Sequence, residues 1–79
     1  MKYVCSVTVV VVGPAGFFDV YDLESGRYLA KNLNKQNPHD SPFYTDFEFW
    51  KEGKKWRTNT FIDNHILGQI VEEIERIRA

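Results

Sequence analysis

The chain opens on a run in which β-branched side chains alternate with polar ones. From Lys2 to Val12, Tyr3, Cys5, Val7, Val9 and Val11 fall on one side of an extended backbone, because successive strand side chains point to opposite faces. The other side begins polar, with Lys2, Ser6 and Thr8, and ends apolar, with Val10 and Val12. Branching at Cβ suits a pleated surface, so residues 2–12 are predicted as a strand. Its last residues are apolar on both faces and need cover from elsewhere in the fold or from a second copy. Gly13-Pro14-Ala15-Gly16 then reads as a turn: proline presets its own φ and glycine tolerates the exit. Two glycines three apart also occur in phosphate- and nucleic-acid-binding loops, but those loops adjoin helices and the flanks here are strand-like.

Two hairpins are predicted next. Phe17–Asp22 and Arg27–Leu33 form the arms of the first around Leu23-Glu24-Ser25-Gly26. A four-residue loop sets Asp22 opposite Arg27, Tyr21 opposite Tyr28 and Val20 opposite Leu29. The string Val20-Tyr21-Asp22-Leu23-Glu24-Ser25-Gly26 looks like the hairpin of propeller-blade repeats, but it occurs once, whereas a propeller repeats a unit of about 40 residues. Residues 34–42 hold two prolines and no periodicity, which marks a loop. The second hairpin covers 43–62 and is predicted to turn at Glu52-Gly53, with Phe49 opposite Trp56, Glu48 opposite Arg57 and Phe47 opposite Thr58. One face then carries Phe47, Phe49, Trp56 and Ile62, the other Asp46, Glu48, Lys55, Arg57 and Asn59.

At Asp63 the period changes from two to nearly four. Ile66, Ile70, Ile74 and Ile77 make one stripe, widened by Leu67 and Val71, as on a helix with one buried face. Asp63 suits the N-cap, Ile62 and Leu67 stand at the two positions of a hydrophobic staple, and Glu72 precedes Arg76 by four, the favourable order for a pair. Such a helix is about 24 Å long, enough to cross five strands. The predicted fold is therefore α+β: a mostly antiparallel sheet of about five strands, two hairpins plus the N-terminal strand, with one C-terminal helix packed on one face. An OB-type barrel would want a helix between its third and fourth strands, where this chain has prolines.

Composition narrows the picture. With 79 residues, the chain forms a single domain, 1–79, which buries only about 60% of the surface its unfolded chain exposes. Large side chains must fill that thin core, and 43% of the residues are hydrophobic and 15% aromatic. A net charge of −1 lacks the basic excess of a dedicated nucleic-acid binder. The single cysteine, Cys5, rules out a disulfide within the chain and points to a reducing, cytoplasmic setting. Met1-Lys2 ahead of an apolar stretch imitates a secretory signal, but Ser6 and Thr8 interrupt it and valine replaces leucine. It is also too short to cross a bilayer as a helix, so no membrane partner is expected.

Candidate chemistry is sparse. His39-Asp40-Ser41 contains the residue types of a hydrolase triad, but in consecutive positions that do not form its line of nucleophile, base and orienting acid. His39 with Asp40 is too few ligands for a metal centre. His65 falls in the first turn of the predicted helix. No catalytic, cofactor or metal residue is assigned, and no enzyme activity is expected. The informative segment is Trp50-Lys51-Glu52-Gly53-Lys54-Lys55-Trp56-Arg57. Its cations suit phosphates and its aromatic rings suit bases, while Trp and Arg also anchor protein contacts and lysines guard sheet edges. Glu72, Glu73 and Glu75 give the helix an acidic outer face.

The expectation is a small non-enzymatic interaction protein that binds and modulates, by inhibition, a larger protein. Small phage- or plasmid-encoded inhibitors of host machinery, anti-CRISPR proteins included, share this size and style, a likeness of size and not of motif. The candidate partner-binding residues are Trp50, Lys51, Lys54, Lys55, Arg57, Glu72, Glu73 and Glu75. The alternatives are a single-stranded nucleic-acid site at 50–57 and a homo-oligomeric component, with a homodimer covering Val10 and Val12.

Overall fold

The structure, a computed structural model, describes residues 1–10, 15–33 and 45–78. Five strands, β1 (Lys2–Val9), β2 (Gly16–Asp22), β3 (Arg27–Asn32), β4 (Phe47–Glu52) and β5 (Lys55–Thr58), precede one helix, α1 (Asn64–Arg78). The strands form one open sheet in the order β1-β2-β3-β4-β5, antiparallel throughout. This is the α+β architecture that the change of hydrophobic period predicts. The expected turn at Gly13-Pro14, the far end of the first strand at Val11 and Val12, and the loop of 34–42 with His39 lie outside the described residues.

One face of the sheet and one face of the helix make the core. Cys5, Val7 and Val9 of β1, Phe18 and Val20 of β2, Ala30 of β3, and Phe47 and Phe49 of β4 meet Ile62, Ile66, Ile70 and Ile74. Phe18 meets Phe47 edge-on with ring centroids 6.0 Å apart, and Tyr28 stacks on Phe49 at 5.3 Å. Each of the three buried phenylalanine rings contributes about 1.5–3 kcal/mol relative to exposure, which is how a thin core holds a chain this short.

The helix begins as its sequence predicts. The Asp63 carboxylate accepts the His65 N–H at 2.8 Å, and the Asp63 carbonyl accepts from Ile66 and Leu67, the bonds of an N-cap. Two expectations need correction. Ile77 is 48% exposed, because the last turn is held by Arg78 instead: its guanidinium donates to Asp22 at 3.0 Å and lies over the Tyr28 ring at 5.2 Å. Arg76 pairs with Glu73 rather than Glu72, since residues three apart are also neighbours on a helix. The helix backbone comes nearest to β1 and reaches β2 and β3 through Arg78.

Both hairpins differ in register from the expectation. In the first, Leu23 N–H donates to the Arg27 carbonyl at 2.9 Å, and Asp22, Tyr21 and Val20 face Tyr28, Leu29 and Ala30. The loop takes one more residue because Asp22 accepts the Glu24 N–H at 2.7 Å and both Glu24 (φ 63) and Gly26 (φ 85) adopt left-handed backbone. A slip of one exchanges faces: small Ala30 enters the core, while Arg27 and Leu29 turn to the opposite side. In the second, the turn falls on Gly53-Lys54, so Phe49 faces Thr58 and Trp50 faces Arg57. Gly53, with φ 64, thereby takes the first central position, where a two-residue hairpin loop wants positive φ. This displacement changes every pairing but preserves the faces, and Phe47, Phe49 and Trp56 remain on the core side.

Candidate functional site

No described element covers the second face of the sheet. Its composition follows from the registers, taken row by row across the strands. Nearest the hairpin turns, Trp50 stands between Arg27 of β3 and Arg57 of β5. The Arg27 guanidinium lies over the indole at 4.2 Å from the ring centroid, a cation–π contact, and is 3.6 Å from the Glu48 carboxylate. The next row is Tyr3, Tyr21, Leu29 and Glu48, in which the two tyrosine rings meet edge-on at 5.8 Å. A third row holds Ser6, Asp19 and Lys31.

Tyr3 reaches this face because of a bulge. The alternation of the sequence places it beside Cys5 on the core side, but the β1–β2 register shifts between Tyr3 and Cys5. An extra residue in one strand reverses which way the flanking side chains point, so Tyr3 is 54% exposed on the same side as Ser6. Ser6 donates to Asp19 at 2.6 Å. Its one proton being spent there, the 2.6 Å contact between Tyr3 and Ser6 has the tyrosine hydroxyl as donor. The chain Tyr3–Ser6–Asp19 fixes the ring orientation and gives the face an ordered polar margin.

The structure divides the sequence-derived candidates. Trp50, Lys55 and Arg57 share the uncovered face. Lys51, opposite Trp56, points to the helix side, and Lys54 occupies the turn. Glu72 and Glu73 line a groove of about 310 Å³ with Ser6, Val7, Thr8 and Gln69, at the β1 edge of the sheet. Glu75 is exposed elsewhere on α1. The basic hairpin and the acidic helix residues therefore sit near opposite sheet edges and make no common site. Arg27, Leu29, Tyr3 and Tyr21 belong to the uncovered face and escape the sequence reading: a bulge turns Tyr3 there, a five-residue loop turns Arg27 and Leu29 there, and Tyr21, which stands there by alternation with Val20, gains Tyr3 and Leu29 as neighbours. Asp22 followed by Glu24-Ser25-Gly26 is the local signal for that loop.

The electrostatics are mild. Burial first, then the nearby Glu73 and Asp19 carboxylates, raises the Cys5 thiol above its ordinary value, leaving a protonated, buried sulfhydryl. The Glu24 N–H, then Arg78, holds the Asp22 carboxyl below the ordinary range, and the His65 N–H does the same for Asp63. Among the described residues, no three His, Cys, Asp or Glu side chains gather as a metal site, and no helix is long and apolar enough to cross a membrane. Comparison with protein-family models, with curated proteins and with solved structures gives no match to this chain.

Proposed function

We propose that the chain is a non-enzymatic protein-binding module that docks a larger protein on the uncovered face of its sheet and modulates it by occupying part of its surface. The observation that carries this reading is the row Arg27–Trp50–Arg57 beside Tyr3, Tyr21 and Leu29 on a face that no described element covers. Trp, Tyr and Arg are the side chains on which binding energy concentrates, with large rigid area and a polar tip. The mixed charge favours a protein partner. Arg27 faces Glu48 within 3.6 Å, and Asp19 lies two rows away, whereas a nucleic-acid groove presents one sign of charge to the phosphates. Occupying a partner's surface needs no catalytic group, and a cytoplasmic setting suits the single buried thiol.

Single-stranded nucleic acid is the second reading, favoured by Lys51, Lys54, Lys55 and Arg57 around Trp50 in the β4–β5 hairpin. One comparison separates the two. The immobilised chain is expected to capture a protein from lysate of its source cells, and Trp50→Ala combined with Arg27→Ala is expected to lose it. Equal capture by both would remove the proposal. Salt-dependent binding of labelled single strands, abolished by Lys54→Glu with Lys55→Glu, would replace it with the nucleic-acid reading.

A further inference from the structure

The two edges of the sheet are guarded differently. β5 has four residues, Lys55–Thr58, and its Lys55 and Arg57 are the short-strand, charged kind of edge that resists pairing. β1 is twice as long, Lys2–Val9. Its start is protected by Lys2 and by the bulge at Val4, and its far end by Gln69. The Gln69 side-chain amide accepts the Val10 N–H at 3.2 Å and donates to the Val10 carbonyl at 3.0 Å, so it imitates one residue of a neighbouring strand.

That bidentate contact also reveals the orientation of the edge. Both backbone groups of Val10 turn toward the helix-side edge, away from β2. Backbone groups of successive strand residues alternate between the two neighbours, so those of Thr8 and Ser6 turn the same way as those of Val10, while Val9 and Val7 bond β2. Between the bulge and Gln69, two residues therefore present an outward N–H and C=O. They do so at the groove of about 310 Å³ lined by Ser6, Val7, Thr8, Gln69, Glu72 and Glu73.

We infer that this edge accepts an extended segment of another protein as a sixth strand, hydrogen-bonded at Ser6 and Thr8, with a lysine or arginine at the residue facing Val7. The residue opposite Val7 shares its face, which is the helix side, and so directs its side chain between the sheet edge and Glu72 and Glu73. Backbone bonds supply the attachment and the alternate side chain supplies the selection, as in other strand-addition complexes. Arg76 already pairs with Glu73, and an incoming cation joins or displaces it. The same carboxylates disfavour a second copy: antiparallel β1-to-β1 pairing would set two acidic helix margins against each other. This inference does not rest on the row around Trp50, which lies three strands away: it uses the backbone of Ser6 and Thr8, whose side chains border the uncovered face.

The probe is a capped Thr-Val-Arg-Val-Thr peptide, followed by residue-resolved amide spectra of the chain. Addition is expected to shift the Ser6 and Thr8 amides and the Gln69 side-chain amide. A peptide with glutamate at the centre is expected to bind at least about fivefold more weakly, and N-methylation of both valines to abolish binding, with no change to the protein itself. Thr8→Pro, which removes an outward N–H and is tolerated at a sheet edge, is expected to weaken the peptide severalfold relative to Thr8→Val, which keeps that N–H, while Trp50→Ala leaves it unchanged. Shifts that do not include Ser6 and Thr8, or equal binding of the arginine and glutamate peptides, would overturn the inference. So would concentration-dependent shifts at Ser6 and Thr8 without peptide, which would give the edge to a second copy.

Discussion

Single side chains decide the two ends of the helix, and both decisions involve a carboxylate. Asp63 accepts the His65 N–H at the first turn. Asp22 accepts the Glu24 N–H and holds Arg78 at the last turn. Both carboxyls are shifted down in the folded chain, so the folded state binds their protons less tightly than the unfolded state does. Their contribution is complete above the ordinary carboxylate range and is lost as pH falls through the depressed values. Thermal melting followed by circular dichroism is predicted to show a midpoint that drops on such acidification, and a shallower drop in Asp22→Asn with Asp63→Asn. The N-cap was legible because it is local: one residue type, just ahead of a periodic run. The alternation of β1 alone puts Tyr3 on the face of Cys5, and the structure puts it on the other, because a bulge is a relation between two strands and leaves no mark in the alternation of one.

The hydrophobic stripe of α1 is an element-scale property, and it fades before the helix ends. Ile70 is fully buried and Ile77 is 48% exposed. In urea denaturation, Ile70→Ala is predicted to cost about 2–5 kcal/mol, and Ile77→Ser to stay within about 0.5 kcal/mol of the parent. The first hairpin offers a sharper test of register. Ala30 is fully buried opposite Val20, so Ala30→Leu is predicted to overpack the core at about 1–3 kcal/mol, whereas Leu29→Ala, on the uncovered face, costs less than that. The reverse order would restore the four-residue loop. Periodicity identifies strands and their two faces, as the second hairpin illustrates, where a two-residue displacement left Phe47, Phe49 and Trp56 inward. It does not count loop residues. That count rests on Asp22 bonding Glu24 and on left-handed backbone at Glu24 and Gly26, and it decides whether Arg27 and Leu29 belong to the core or to the surface.

At the scale of the molecule, one helix over five strands leaves one face of the sheet without cover from the described residues. The change of period at Asp63 made that two-layer arrangement legible. The hairpin at Trp50–Arg57 was also visible as a surface feature, though not its neighbours, since Arg27 and Tyr21 join Trp50 only through pairings between strands distant in sequence. The most direct test is calorimetric titration of the captured protein into the parent chain and into Trp50→Ala, with both shown folded by their amide spectra. Removal of a central anchor predicts an affinity about thirtyfold lower, roughly 2 kcal/mol. Equal affinities in two folded chains would contradict the account and place the binding surface elsewhere.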